Sequence, residues 1–240
     1  MFLNAPLSAA LDRIAERAAD VRRAFTPGAI PAHDDVATPS PSSTFTLDPL
    51  SVVAPEGAYF VTAGSNGRAE YARDGGFAIR DGLLVDASGR ALLGTREPGG
   101  RQEALRVDPV DSALGRIGGA RVSSDGTFEY RRTTVDPRTG LRESQLAVVG
   151  RLVLARFPAG TRLHAGDGSH GVPPSGVSPE VGHPGEGSFA ALLPMQRERS
   201  RVDLDESLAR LKEAYVAFEA IQAAQTARGH LGKTAMDLLK

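Results

Sequence analysis

The chain's 240 residues suit one medium domain, or a small domain with appendages, and 28 Lys+Arg against 29 Asp+Glu leave a formal charge of −1. This balance supplies no surplus of positive charge for a nucleic-acid backbone, and there is no acidic or basic tail. The lack of cysteine excludes disulfides, thiolate metal sites and a Cys nucleophile. A hydrophobic fraction of 41% supports a core, whereas 27 Gly, 16 Pro and only 5% aromatics point to many turns and short strands.

Met1 to Leu11 has apolar residues but no basic leader, and Asp12 follows, so no signal-peptide pattern is read there. No run approaches the 18 or so apolar residues of a spanning helix. From residue 1 to 25, Leu7, Leu11, Ile14, Ala18, Val21 and Phe25 step in fours and threes, which predicts a helix with a heptad stripe. Thr26-Pro27-Gly28 ends it. Residues 26–44 hold four prolines and a Ser cluster, and read as an extended linker.

A central β domain is expected over 45–200. Ala58 to Thr62 reads as a strand, and Gly64 to Gly67 as a turn. Asp74-Gly75, Asp81-Gly82 and Asp125-Gly126 carry hairpin-turn chemistry, with Phe77-Ala78-Ile79 and Leu83-Leu84-Val85 between the first and second turns and beyond the second. Thr127 to Tyr130 alternates like a half-buried strand, and Leu146 to Phe157 is the longest β-like run. Gly, Pro, Ser and His then dominate 158–187, which predicts a long loop with few strands. Over 201–240 the helical pattern returns, capped by Asp203 or Asp205, with Leu204, Leu208, Leu211, Tyr215, Phe218, Gln222 and Gln225 in heptad steps. Ile221 and several alanines widen this face, Glu206 and Arg210 form an i,i+4 pair, and Gly229 and Gly232 weaken the last turns. The expected class is α+β, with N- and C-terminal helices pairing as a coiled coil around a mainly antiparallel β domain.

Several segments match a known pattern in order. These are Gly57-Ala58-Tyr59-Phe60-Val61, Tyr71-Ala72-Arg73-Asp74-Gly75-Gly76-Phe77, and Gly82-Leu83-Leu84-Val85-Asp86-Ala87-Ser88-Gly89-Arg90-Ala91-Leu92-Leu93-Gly94. Together they resemble the bacterial flagellar basal-body rod and hook family, whose signature reads GYF-V, then YTRDGxFxxDxxGYLVTxxGxxVLG. Val122 to Thr127 is similar to that family's I-x-x-DG-T strand, and Val149 to Pro158 to its GRIxLVxFxxP strand. Ala214 to Ala220, followed by Gln225-Thr226, is similar to its C-terminal helix. The length resembles the proximal or distal rod proteins, and residues 25–29 keep only Thr26 and Gly28 of the family's N-terminal motif.

The resemblance implies a structural subunit that polymerises with itself and with other axial rod and hook proteins. It implies passage through the flagellar type III export apparatus without a cleavable signal peptide, and a place in the periplasm-spanning rod. No catalysis, cofactor, metal, nucleic acid or small-molecule substrate is expected. The assembly interface is assigned to Leu7, Leu11, Ile14, Val21, Leu204, Leu208, Leu211, Tyr215, Phe218 and Ile221.

Other chemical readings weigh less. Gly229 to Thr234 ends like a P-loop, but the required first glycine is Ala227 and the context is helical. His164, His170, His183 and Asp167 have ligand-type side chains at no compact metal spacing. Adjacent Ser169-His170 with Asp167 does not suit a hydrolase triad. A diverged extracellular β-domain binding module, for glycan for example, is the alternative function. It is disfavoured by the scarcity of aromatic platforms.

Overall fold

The computed structural model describes residues 5–26, 28–29, 42–64, 67–97, 99–136, 138–161, 163–165 and 171–238. Most of the Pro-rich linker, the Ser65-Asn66 turn tip, and Asp167, Ser169 and His170 lie outside them. The chain divides into two compact units: a helical one, Met1–Ser40 with Ser200–Lys240, and a β one, Pro41–Arg199.

The helices are α1 (Ala5–Arg23), the short α2 (Pro109–Ala113) within the β unit, and α3 (Leu204–Leu238). The strands begin with β1 (Ser43–Phe45), β2 (Val52–Val53), β3 (Ala58–Ala63), β4 (Ala69–Ala72), β5 (Ala78–Arg80) and β6 (Leu83–Val85). There follow β7 (Leu93–Thr95), β8 (Glu103–Ala104), β9 (Ile117–Val122), β10 (Thr127–Val135), β11 (Arg142–Leu152) and β12 (Leu154–Arg156). The last are β13 (His164–Ala165), β14 (Gly171–Val172), β15 (Glu180–Gly182), β16 (Leu193–Pro194) and β17 (Gln196–Glu198).

All strand pairs are antiparallel. A five-stranded sheet has the order β8-β7-β11-β10-β9, and a six-stranded one β13-β14-β4-β3-β12-β15. Three ribbons complete the unit: β1-β17, β16-β2 and β5-β6. The apolar run from Leu146 to Phe157 becomes β11 and β12, one strand in each large sheet. Its residues Leu152, Val153, Leu154 and Ala155 are all buried, which is why alternation is lost there. The main core gathers Phe60, Leu84, Leu92, Leu105, Phe128, Tyr130, Leu152, Leu154 and Leu192. Burial of such side chains contributes about 1.5–3 kcal/mol each.

The turn dipeptides have different fates. Asp81-Gly82 takes positive φ at both residues and closes the β5–β6 ribbon. Asp125-Gly126 turns β9 into β10, with the Asp125 carboxylate accepting bonds from Thr127. Asp74-Gly75 is not a hairpin, which corrects the sequence expectation. There the Val52 N–H donates to the Gly75 carbonyl at 2.9 Å, and a Cβ on Gly75 would overlap the Val52 carbonyl oxygen. The glycine serves close backbone approach, and Asp74 turns its carboxylate to Arg197, 3.1 Å away. Thr127 to Tyr130 also departs from simple alternation. A bulge between Phe128 and Glu129 lets Phe128, Glu129 and Tyr130 all be buried.

The expected coiled coil of terminal helices is corrected as well. The chain is mostly β, and although α1 and α3 pack against each other, the heptad seam is not buried between them. Leu11, Leu208 and Tyr215 are 50%, 45% and 52% exposed, whereas Ala10, Asp20, Ser207 and Ala214 are buried. The fully buried positions are thus smaller residues beside the heptad positions, while most of the heptad residues are only half-buried. A straight helix drifts from a 3.5-residue repeat, so part of any heptad stripe turns outward. Small side chains at Ala10 and Ala214 suit the side that faces inward. Gly229 and Gly232 do not end α3, which runs through both.

Candidate assembly surface

The helical unit contains all ten residues assigned to assembly. Asp203 caps α3: its carboxylate accepts from the Glu206 N–H at 3.1 Å, and its carbonyl accepts from the Ser207 hydroxyl at 2.6 Å. Glu206 pairs with Arg210 at 2.8 Å one turn on. In α1, Asp20 is buried between the guanidinium groups of Arg17 and Arg23, at 4.0 and 3.3 Å. These contacts hold the helix ends without using the long apolar side chains.

Those side chains fall into two sets. Leu7, Ile14, Val21, Leu204, Leu211, Phe218 and Ile221 are half-buried. Leu11, Leu208 and Tyr215 are exposed, as are Phe25, Val216 and Leu231, which the sequence reading did not assign. Helix lengths add a mismatch. At 1.5 Å per residue, α1 is about 28 Å long and α3 about 52 Å. One α1 therefore cannot line all of α3. From Gln222 to Leu231 every described side chain of α3 except Gln225 is exposed. A single helix of that length is marginal in water without packing.

The β unit holds its polar groups in closed networks. Arg73 and Glu198, both buried, meet at 2.6 Å, and Arg73 also donates to the carbonyls of Pro55 (2.8 Å) and Ala58 (2.5 Å). Glu70 pairs with Arg90, and Arg121 with Glu129 at 2.5 Å. Asp111, at the start of α2, accepts from the Tyr130 phenol at 2.5 Å and from the Arg132 guanidinium. Burial alone would raise the Asp111 carboxyl, but bonds from Tyr130 and Arg132 and the charges of Arg132 and Arg116 hold it below its ordinary 3.8. Burial, then the bond to Asp111, pushes the Tyr130 phenol up.

A group depressed in the fold stabilises above its ordinary pKa and loses that contribution as pH falls through the lowered value. Asp111→Asn is therefore expected to cost about 1–3 kcal/mol at neutral pH. It should also flatten the acid limb of stability below pH 4 or so, because a group lowered from 3.8 has been removed. Urea titrations across pH read both effects, and unchanged acid dependence would contradict this assignment.

His183 serves the fold. Its Nδ1 lies 2.9 Å from the Leu152 carbonyl and its Nε2 lies 3.2 Å from the Thr95 hydroxyl. His164 falls in β13. Among the described residues no group of three His, Cys, Asp or Glu is placed to hold a metal ion. Gly229 to Thr234 is helical within α3, so the backbone does not form the loop that cradles phosphate. Among the described residues no helix is long and apolar enough to cross a membrane. No known protein family matches the chain, and no curated protein matches it significantly.

Proposed function

We propose that the chain is a structural subunit that polymerises, of the type that builds the bacterial flagellar basal-body rod. The observation that carries this reading is the set of large apolar side chains left exposed on both helices, Leu11 and Phe25 on the N-terminal segment and Leu208, Tyr215, Val216 and Leu231 on α3. Apolar residues that cover no part of their own chain gain from association with a neighbour. The ordered sequence resemblance across the β unit and α3 supports the same assignment. In this role the partners are further copies and other axial proteins, delivery is by the flagellar export apparatus, and the working place is the rod.

The test separates folding from assembly. Leu208→Asp and Tyr215→Asp change exposed positions, so monomer stability should shift by only about 0.5 kcal/mol. Sedimentation and electron microscopy at high concentration should then show polymers for the unaltered chain and none for the double variant. In cells, loss of the chain should abolish complete rods and swimming, with rescue by the unaltered chain only. Intact basal bodies and normal swimming without it would overturn the reading and favour the binding-module alternative.

A further inference from the structure

The strand β11 has one satisfied side and one open side. β10 pairs with it from Arg142 to Arg151. On the opposite side β7 pairs only with Arg151 and Leu152. The reason is a crossing where glycine is required. A Cβ on Gly150 would lie 2.6 Å from the Thr95 carbonyl oxygen, so the backbones touch there and diverge beyond it. From Arg142 to Gly150 no strand among the described residues completes the ladder on that side.

Free edges are normally blunted by proline, a short strand or charges along the edge. Gln145 to Val149 carries none of these, and Leu146 and Val148 are exposed. The open edge borders a notch of about 290 Å³. Ala147, Val148 and Val149 form its strand side, and Arg96, Arg106, Arg132 and the carboxylate of Asp108 stand around it. Arg132 is engaged by Asp111 and by Asp108 at 3.1 Å, and Arg96 by Glu103 at 2.5 Å. Arg106 is exposed, and its side chain has no ion pair among the described residues.

We propose that this notch docks an extended acidic peptide of another protein, which adds to β11 as a strand and directs a carboxylate to Arg106. Unpaired backbone groups in register recognise extended backbone. The free guanidinium selects the side-chain charge, because an arginine fork matches a carboxylate in two hydrogen bonds. The two requirements are independent, so a ligand that meets only one binds weakly. This assignment stands apart from polymerisation through the helices, because its residues all belong to the β unit.

The experiment is fluorescence anisotropy of a labelled heptapeptide of alternating Val and Asp, added to the full-length chain at dilute, unassembled concentration. The expected dissociation constant is about 10–100 μM, rising with salt. Three changes should each weaken binding by about tenfold or more, the effect of losing one charge-assisted contact or the ladder. They are Asn for Asp in the peptide, N-methylation of its alternate amides, and Arg106→Gln in the protein. Arg106 is exposed, and unchanged circular dichroism would show that the variant folds. Equal binding of the N-methylated peptide, or full competition by inorganic phosphate alone, would reduce the site to an anion patch and overturn strand addition. No binding up to about 1 mM, or an unaffected Arg106→Gln variant, would overturn the proposal outright.

Discussion

Glu198→Gln is expected to destabilise the β unit by about 3–5 kcal/mol, because it leaves the Arg73 charge buried beside a neutral amide. Glu198 is 2% exposed and Arg73 8%, so water compensates the guanidinium only in small part. The pair also ties distant parts of the chain. Glu198 stands in β17 opposite Ser43 of β1, and Arg73 reaches back to the carbonyls of Ala54, Pro55 and Ala58. Removing one partner therefore loosens three segments together. Urea unfolding followed by tyrosine fluorescence is the measurement, since Tyr59, Tyr71 and Tyr130 all lie in the β unit. The double change Arg73→Met with Glu198→Leu should lose less than the single change, because no uncompensated charge remains. A single-variant loss under about 1 kcal/mol would show that the pair is not buried as described.

Gly75→Ala is the second large effect, at about 3 kcal/mol or more. The added methyl would overlap the Val52 carbonyl oxygen and approach Phe60 Cε2 at 3.1 Å. Neither neighbour can retreat cheaply. Val52 is fully buried, and its own N–H is bonded to the Gly75 carbonyl, while Phe60 stacks edge-on against Phe77 at 5.0 Å between centroids. The strain falls on the backbone, not on a flexible side-chain tip. The same urea titration reads it, and a wild-type midpoint in the alanine variant would refute the close crossing.

These two sites show what a sequence carries and what it does not. Asp81-Gly82 and Asp125-Gly126 were legible because their chemistry is local: a tight turn needs residues that tolerate positive φ or bond their own backbone. Asp74-Gly75 has the same letters but answers to Val52, which no local rule reveals. The apolar run of β11 and β12 was legible as strand, although its division between two sheets was not. Both long helices were legible from their periodicity, whereas their rotation was not. Heptad spacing marks Leu208 and Tyr215 as equals of Leu211 and Phe218, and the choice between them is made by packing against α1. Of the residues proposed for assembly, Leu11, Leu208 and Tyr215 offer the most surface to a neighbour. The arginines around the β11 notch come from three separate stretches, so nothing in their spacing foretold their meeting.

The β unit sits in the sequence as an insert between the two long helices. Its entry and exit strands, β1 and β17, are paired, with Ser43 opposite Glu198. The chain thus leaves and returns through one doorway. Segments between these strands can lengthen or shorten without changing the distance between the two ends of the β unit. The doorway also fixes an order of events during synthesis. α1 cannot pack on α3 until every β residue between them has been made, so the contacts between these helices form across the whole β unit in sequence.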